Sequence, residues 1–209
     1  MKRLCLICIA ALVLGLAANA AQASEILPAS YVFDRATDCG AYCYHDWTGV
    51  QLIDGQYGTA PWSADLGNGN AYEWVGWTDP SINVDFDFGA SVEIGSIHVG
   101  SVQDYPGDVV LPSINIYSGS DGSSWDLEAS IFVPESSDNN YAYRTFEFDN
   151  LSINARFVRV SLFHSLDGPW TYIDEVDFYQ GDAVPVPGAV WLLGSGLLGL
   201  LGLRRKFRK

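Results

Sequence analysis

The chain has 209 residues and a formal charge of −14, with seven Trp, eleven Tyr and ten Phe, enough apolar side chain to bury one domain core. The charge is unevenly placed: Lys2, Arg3, Arg204, Arg205, Lys206, Arg208 and Lys209 lie at the ends, and only Arg35, Arg144, Arg156 and Arg159 face all 25 acidic residues of the stretch between, a balance of −21. Such an acidic body repels phosphate backbones, which excludes nucleic acid as a partner and leaves divalent cations and neutral sugars open.

Met1-Lys2-Arg3, the apolar run over residues 4–18 and Ala20-Ala21-Gln22-Ala23 have the charged, apolar and cleavage regions of a secretory signal peptide, residues 1–23. Cleavage is expected after Ala23 or, second, after Ala20. The run is short for a membrane span, and Cys5 and Cys8 lie too early in it for a lipoprotein site. Residues 24–182 are then expected as one exported domain.

Within that body, Tyr31-Val32-Phe33 reads as a short strand. Cys39 and Cys43 follow, four residues apart, and in an exported protein such a pair closes a small disulfide loop. A metal role is the alternative, but only His45 and Asp46 stand nearby as further ligands. Residues 51–62 are rich in turn formers and oxygen donors, a composition that suits a hard cation such as calcium. Ile82, Val84, Phe86 and Phe88 then alternate with Asn83, Asp85 and Asp87, the period of a strand with one face inward. That pattern puts Asp85 and Asp87 on the solvent face, rather than in a catalytic pair, with Arg156 and Arg159 as expected partners for acids of the sheet.

Residues 92–99 read as the next strand, kinked at Gly95. Residues 114–118, 125–133, 143–148, 156–163 and 172–179 follow, with Gly119 and Asp121-Gly122 supplying a hairpin turn between the first two. No ten-residue window has helical period. The expected fold class is all-β, a sandwich of about eight antiparallel strands.

At the far end, Val184-Pro185-Val186-Pro187-Gly188 leads into a Leu- and Gly-rich segment, residues 189–203, and a basic cluster, residues 204–209. The apolar segment is barely long enough to span a bilayer, and the basic cluster acts as a cytoplasmic stop. The three-part order of residues 183–209 resembles the PEP-CTERM sorting signal of Gram-negative bacteria, with Val186 where that motif carries Glu. The resemblance implies a transmembrane sorting helix read by an exosortase-type protease, transient inner-membrane anchoring, and delivery to the cell surface or an exopolysaccharide matrix. A plain single-span anchor is the alternative, and either places the body outside the cytoplasm.

Four pieces of the body, in order, resemble the discoidin or factor V/VIII type C family of galactose-binding-like jelly rolls: Ile53-Asp54-Gly55 with Thr59 and Trp62; residues 82–88 with Gly89; Ser120-Asp121-Gly122-Ser123-Ser124-Trp125; and Ala155-Arg156-Phe157-Val158-Arg159-Val160 leading to Ile173-Asp174-Glu175-Val176. The similarity covers about residues 36–181. It implies a jelly-roll β-sandwich with a structural calcium held by Asp54, Gln56, Thr59 and Glu175, the alternative being a hydrogen-bonded turn capped by Glu175. It also implies ligand recognition by loops at one end. There Trp74, Trp77, Tyr105, His164 and Trp170 are the candidate carbohydrate-binding residues, each with packing under a long loop as its alternative.

The expected function is an exported binding protein that takes carbohydrate, with exopolysaccharide as one source. A structural or adhesive surface protein without a sugar site is the alternative. Catalysis needs a positioned acid and base or an activated nucleophile; the body offers only His45, His98 and His164, and no nucleophile motif, so no enzyme is expected.

Overall fold

The alternating segments become two antiparallel sheets packed face to face. The computed structural model describes residues 24–38, 43–64, 73–104, 109–134, 141–164 and 170–181. Its strands are β1 (Ser30–Phe33), β2 (Val75–Trp77), β3 (Ser81–Ile94), β4 (Ser96–Gln103), β5 (Ser113–Gly119), β6 (Asp126–Ile131), β7 (Ala142–Phe148), β8 (Ile153–Phe163) and β9 (Thr171–Tyr179), with one turn of 3-10 helix at Gln51–Ile53. One sheet has the order β1-β3-β8-β5-β6 and the other β2-β9-β4-β7. This is the expected all-β sandwich, with nine strands among the described residues. The signal segment 1–23, Cys39 with its expected bridge to Cys43, Tyr105, and the sorting segment 183–209 lie outside the described residues. Among the described residues, no helix is long and apolar enough to cross a membrane.

The core lies between the sheets, where inward residues of alternating strands meet: Ile82, Val84 and Phe86 of β3, Ile114 and Ile116 of β5, Val158, Val160 and Leu162 of β8, and Ile97 and Val99 of β4, all fully buried. The outward residues of the same strands carry charge. Arg159 forks onto Asp85 at 2.6 and 2.8 Å and Arg156 onto Asp87 at 2.8 and 2.7 Å, the pairing expected from the sequence. The Arg159 guanidinium also lies 4.3 Å above the Trp125 ring. Between β5 and β6 the turn forms as read: Asp121 Oδ1 accepts from the backbone N–H groups of Ser123 and Ser124 at 2.9 and 3.0 Å, and Gly122 takes φ +70°.

Two expectations are corrected. Residues 92–99 are not one kinked strand. Val92 to Ile94 continue β3 beyond a bulge, pairing with β8, and Gly95 is the corner at which the chain crosses to β4 in the other sheet. The alternation survives a change of sheet, so the pattern alone does not reveal the corner. Residues 74–77 are not a ligand loop. They lead into and form β2, and Trp74 and Trp77 are 1% and 0% exposed, packed in the interior, so neither ring offers a face to a ligand. Gly76 between them is required by that packing, because a Cβ there would lie 2.3 Å from the Tyr172 ring.

The register sets two ends. Ser24 and Gln180 bond at one end, while the starts of β3, β5, β7 and β9 and the finishes of β4, β6 and β8 gather at the other.

Candidate functional site

β9 organises everything that follows. It is buried over Thr171–Phe178 yet carries three acids, Asp174, Glu175 and Asp177, exposed by only 1%, 1% and 5%. Between Val99 and Ser101 of β4 the facing residues on β9 run from Val176 to Ile173, so β9 holds one extra residue and Asp174-Glu175 falls in a bulge. Opposite the bulge stands Gly100, where a Cβ would lie 2.0 Å from Asp174 Oδ1. The carboxylate occupies the space a larger residue would fill.

Buried carboxylates must find donors, and the loop after the 3-10 turn supplies them. Glu175 Oε2 accepts from the N–H groups of Gly55 and Gln56 at 3.1 and 3.3 Å, and Asp174 Oδ2 accepts from Gly58 N–H and from the Tyr143 hydroxyl, the latter at 2.9 Å. Tyr57 donates to Asp177, as does Tyr179 at 3.2 Å. Burial pushes the Asp174 carboxyl up to about 6, opposed by its hydrogen bonds. Burial first, then repulsion from Asp177 and Asp54, pushes Glu175 up to about 8.

Of the four residues expected to hold calcium, two converge. Asp54 and Glu175 meet at the loop, close enough to repel, and among the described residues neither meets a basic side chain. Gln56 contributes its backbone N–H, to Asp54 at 2.9 Å and to Glu175. Thr59 turns away: its N–H and hydroxyl both go to Glu73, at 2.9 and 3.4 Å. Among the described residues no group of three or more His, Cys, Asp or Glu is arranged around a metal. As two acids that meet no basic side chain among the described residues, Asp54 and Glu175 nevertheless have the oxygen chemistry of a hard-cation site.

At the end opposite Ser24, a second, smaller core gathers Tyr44, Trp74, Val102, Val109 and Tyr172, with Trp62, Tyr143 and Trp170 packed against it. Two indoles lie nearly parallel to the Tyr172 ring: Trp170 stacks at 5.5 Å and 13°, Trp62 at 6.0 Å and 14°. Trp62 Nε1–H donates to Asp104 at 2.8 Å. Tyr172 is buried, while Trp62 and Trp170 are partly exposed.

The sequence candidates thus separate. Trp170 lies at the loop end in this layer. His164 is 9% exposed, its N–H bonded to Pro80 O at 3.0 Å, so its ring is packing rather than a presented surface. Trp74 and Trp77 are interior, and Tyr105 lies outside the described residues. Trp62 was legible only as part of a fold motif, and Trp47, 63% exposed, gave no periodic signal at all.

The F5/8 type C domain profile matches residues 36–176. No curated protein sequence is similar enough to count as a relative. Among solved structures, a truncated AlyQ with CBM32 and alginate lyase domains is 19% identical with a TM-score of 0.49; the match covers 77% of this chain and 34% of that one, so the chain spans about a third of its length. The family 32 carbohydrate-binding module of C. perfringens NanJ, in complex with galactose, is 15% identical over 76% of this chain and 100% of that one, TM-score 0.46. CpGH89CBM32-5 from Clostridium perfringens, in complex with GalNAc-β-1,3-galactose, is 12% identical over 75% and 99%, TM-score 0.46.

The raised Asp174 and Glu175 values fix a pH dependence. An acid with a raised folded pKa binds its proton more tightly in the folded state; its contribution is fully present below the unfolded value of about 4 and is lost as pH rises through the folded value. In calcium-free buffer the denaturant midpoint should therefore fall between about pH 5 and pH 9, and Glu175→Gln should flatten the upper part of that fall. A midpoint that rises across this window would contradict the assignment.

Proposed function

The chain belongs to the F5/8 type C domain family, and from that premise we propose that it is an exported, non-catalytic binding protein that takes carbohydrate at the end of the sandwich where Trp62, Tyr172 and Trp170 stack. The observation that carries this reading is the layer itself. Two partly exposed indoles are held parallel by a buried phenol, with the Asp104 carboxylate at the edge of one. Indole faces stack on the C–H faces of sugar rings, and adjacent carboxylates accept from hydroxyls. A layer fixed by packing loses little side-chain freedom on binding.

Calcium belongs to the scaffold in this reading. Asp54 and Glu175, with carbonyls of the loop and with Gln56 and Thr59 as neighbours, would hold the ion; when bound, it supplies the positive charge that the two carboxylates lack. The N-terminal segment directs export. The tail, residues 183–209, holds the protein at the inner membrane until an exosortase-type protease releases it to the surface or an exopolysaccharide matrix, and a Cys39–Cys43 bridge pins the start of the domain. A structural or adhesive surface protein is the second reading, favoured by Leu127 and Phe132, 59% and 74% exposed on and just beyond the edge strand β6.

Three measurements test this. On a glycan array, the full-length chain should show saturable retention that Trp62→Ala and Trp170→Ala each weaken at least about tenfold. Trp77→Ala should instead act on folding, at about 3–5 kcal/mol. Retention on no glycan would favour the adhesive reading. Chelation should lower the melting temperature by about 5–10 °C relative to calcium at ~100 times its Kd; an unmoved transition removes calcium from the proposal. Intact mass of the surface-associated form should lack the basic cluster 204–209, and a surface form retaining it would support a plain anchor.

A further inference from the structure

Trp47 is 63% exposed, yet the loop that carries it is built with care. Asp46 Oδ1 accepts from Thr48 N–H, Thr48 Oγ1–H and Gly49 N–H at 3.1, 3.0 and 2.8 Å, and Asp46 Oδ2 accepts from the Tyr31 hydroxyl. That hydroxyl accepts in turn from Leu52 N–H at 3.1 Å, and Gly49 takes φ +71° to close the turn. The His45 ring meets the indole edge-on at 5.0 Å and 83°. The turn beside Trp47 is thus fixed by hydrogen bonds, while the indole itself is held only by the His45 ring and keeps most of its surface in solvent.

Two clefts meet at Trp47. One, of about 490 Å³, runs past His45 to Asp34 and Arg35; the other, of about 530 Å³, runs past Gln51 and Gln56 to Asp54 and Glu73. The first is shallow and open to solvent, the second more enclosed. Apart from Asp54, assigned above to the calcium pair, their walls carry three carboxylates, Asp34, Asp46 and Glu73, against one guanidinium, Arg35. Among the described residues the hydrogen bonds these three accept come from neutral donors: Asn83 to Asp34 at 2.8 and 2.6 Å, Thr48, Gly49 and Tyr31 to Asp46, and the N–H groups of Thr59 and Ala60 to Glu73 at 2.9 and 2.7 Å. Such bonds order the carboxylates and leave their charge in place.

We propose that the two clefts form a second carbohydrate site, separate from the Trp62–Tyr172–Trp170 layer, and that it takes a linear glycan bearing free amino groups. One sugar ring stacks on Trp47 while its neighbours enter the clefts on either side. The negative walls attract protonated amines and repel uronates and sulfates. Amides and hydroxyls along the walls, Gln51, Gln56 and Thr37, suit the remaining polar groups of the chain. Two open clefts joined at one ring suit an internal stretch of polymer rather than a single terminal residue.

The test is calorimetric titration of the full-length chain, in calcium so that the Asp54 loop is fixed, with a tetramer of β-1,4-linked glucosamine, its fully N-acetylated counterpart and a uronate tetramer. The glucosamine tetramer should bind saturably. Raising the ionic strength from about 0.05 to about 0.5 M should weaken binding severalfold. Trp47→Ala should weaken it at least about tenfold with an unchanged melting temperature, and Trp47→Phe should recover part of the affinity. Trp170→Ala should leave this binding intact, which separates it from the loop-end reading. The proposal is overturned if the glucosamine tetramer does not bind, if the N-acetylated or uronate tetramer binds as well, if Trp47→Ala has no effect, or if Trp170→Ala abolishes the binding instead.

Discussion

The constraint on which the structure depends is the burial of three carboxylates on one strand. Asp174, Glu175 and Asp177 sit on β9 away from water, and a buried acid without donors costs far more than a single side chain can return. The chain answers with backbone. The loop from Asp54 to Gly58 lies along β9 and presents the N–H groups of Gly55, Gln56 and Gly58 to those acids, while Tyr57 and Tyr143 add hydroxyls. The bulge at Asp174-Glu175 and the missing Cβ of Gly100 make the room. Most of this satisfaction is by neutral donors, so burial and mutual repulsion raise the Asp174 and Glu175 carboxyls above the ordinary carboxylate range.

The same loop shapes the surface. Because residues 52–60 are tied to β9, the preceding turn is held between that strand and β1, where Tyr31 bridges Asp46 and Leu52. Trp47 is thereby carried outward on a rigid base, and Glu73 is drawn to the N–H groups of Thr59 and Ala60 to wall the adjoining cleft. At the loop end the logic differs. There aromatic packing, not carboxylate satisfaction, orders the residues, and Tyr172 is both a member of the small core and the ring that two indoles stack on. Under the function proposed above, two aromatic surfaces on an acidic background would favour uncharged or basic polyols over anionic ones.

Much of the fold was legible from local chemistry. Period-two alternation located Ile82 to Phe88, Ile114 and Ile116, and the Arg156–Phe163 stretch, because a half-buried strand forces every second residue to one side. The Asp121-Gly122 turn was legible because few residues accept φ near +70°. That Arg156 and Arg159 pair with acids of the sheet was legible, but which acids was not: the register irregularity after Asp87 lets both arginines, three residues apart, face outward onto Asp87 and Asp85. Trp74 and Trp77 misled for a physical reason: β2 has only three residues and is buried on both faces, so no alternation marks it as a strand. Gly95 misled because a corner between sheets leaves the inward pattern unbroken.

The sequence by itself determined the fold class, the hairpin and the acidic character of the body, since each rests on residue type, spacing or motif within a short window, whereas the nomination of Asp54 with Glu175 came from the resemblance to a family. Only the tertiary structure decided which aromatics face solvent. Trp47, Trp62, Trp74, Trp77 and Trp170 are chemically the same side chain, and what separates an interior Trp77 from an exposed Trp47 is the company supplied by strands and loops far away in the chain. Tyr172 stacks Trp62 from 110 residues away, and Glu175 gathers Gly55 from 120. Such pairings are set by sheet topology and loop closure, which no local pattern encodes.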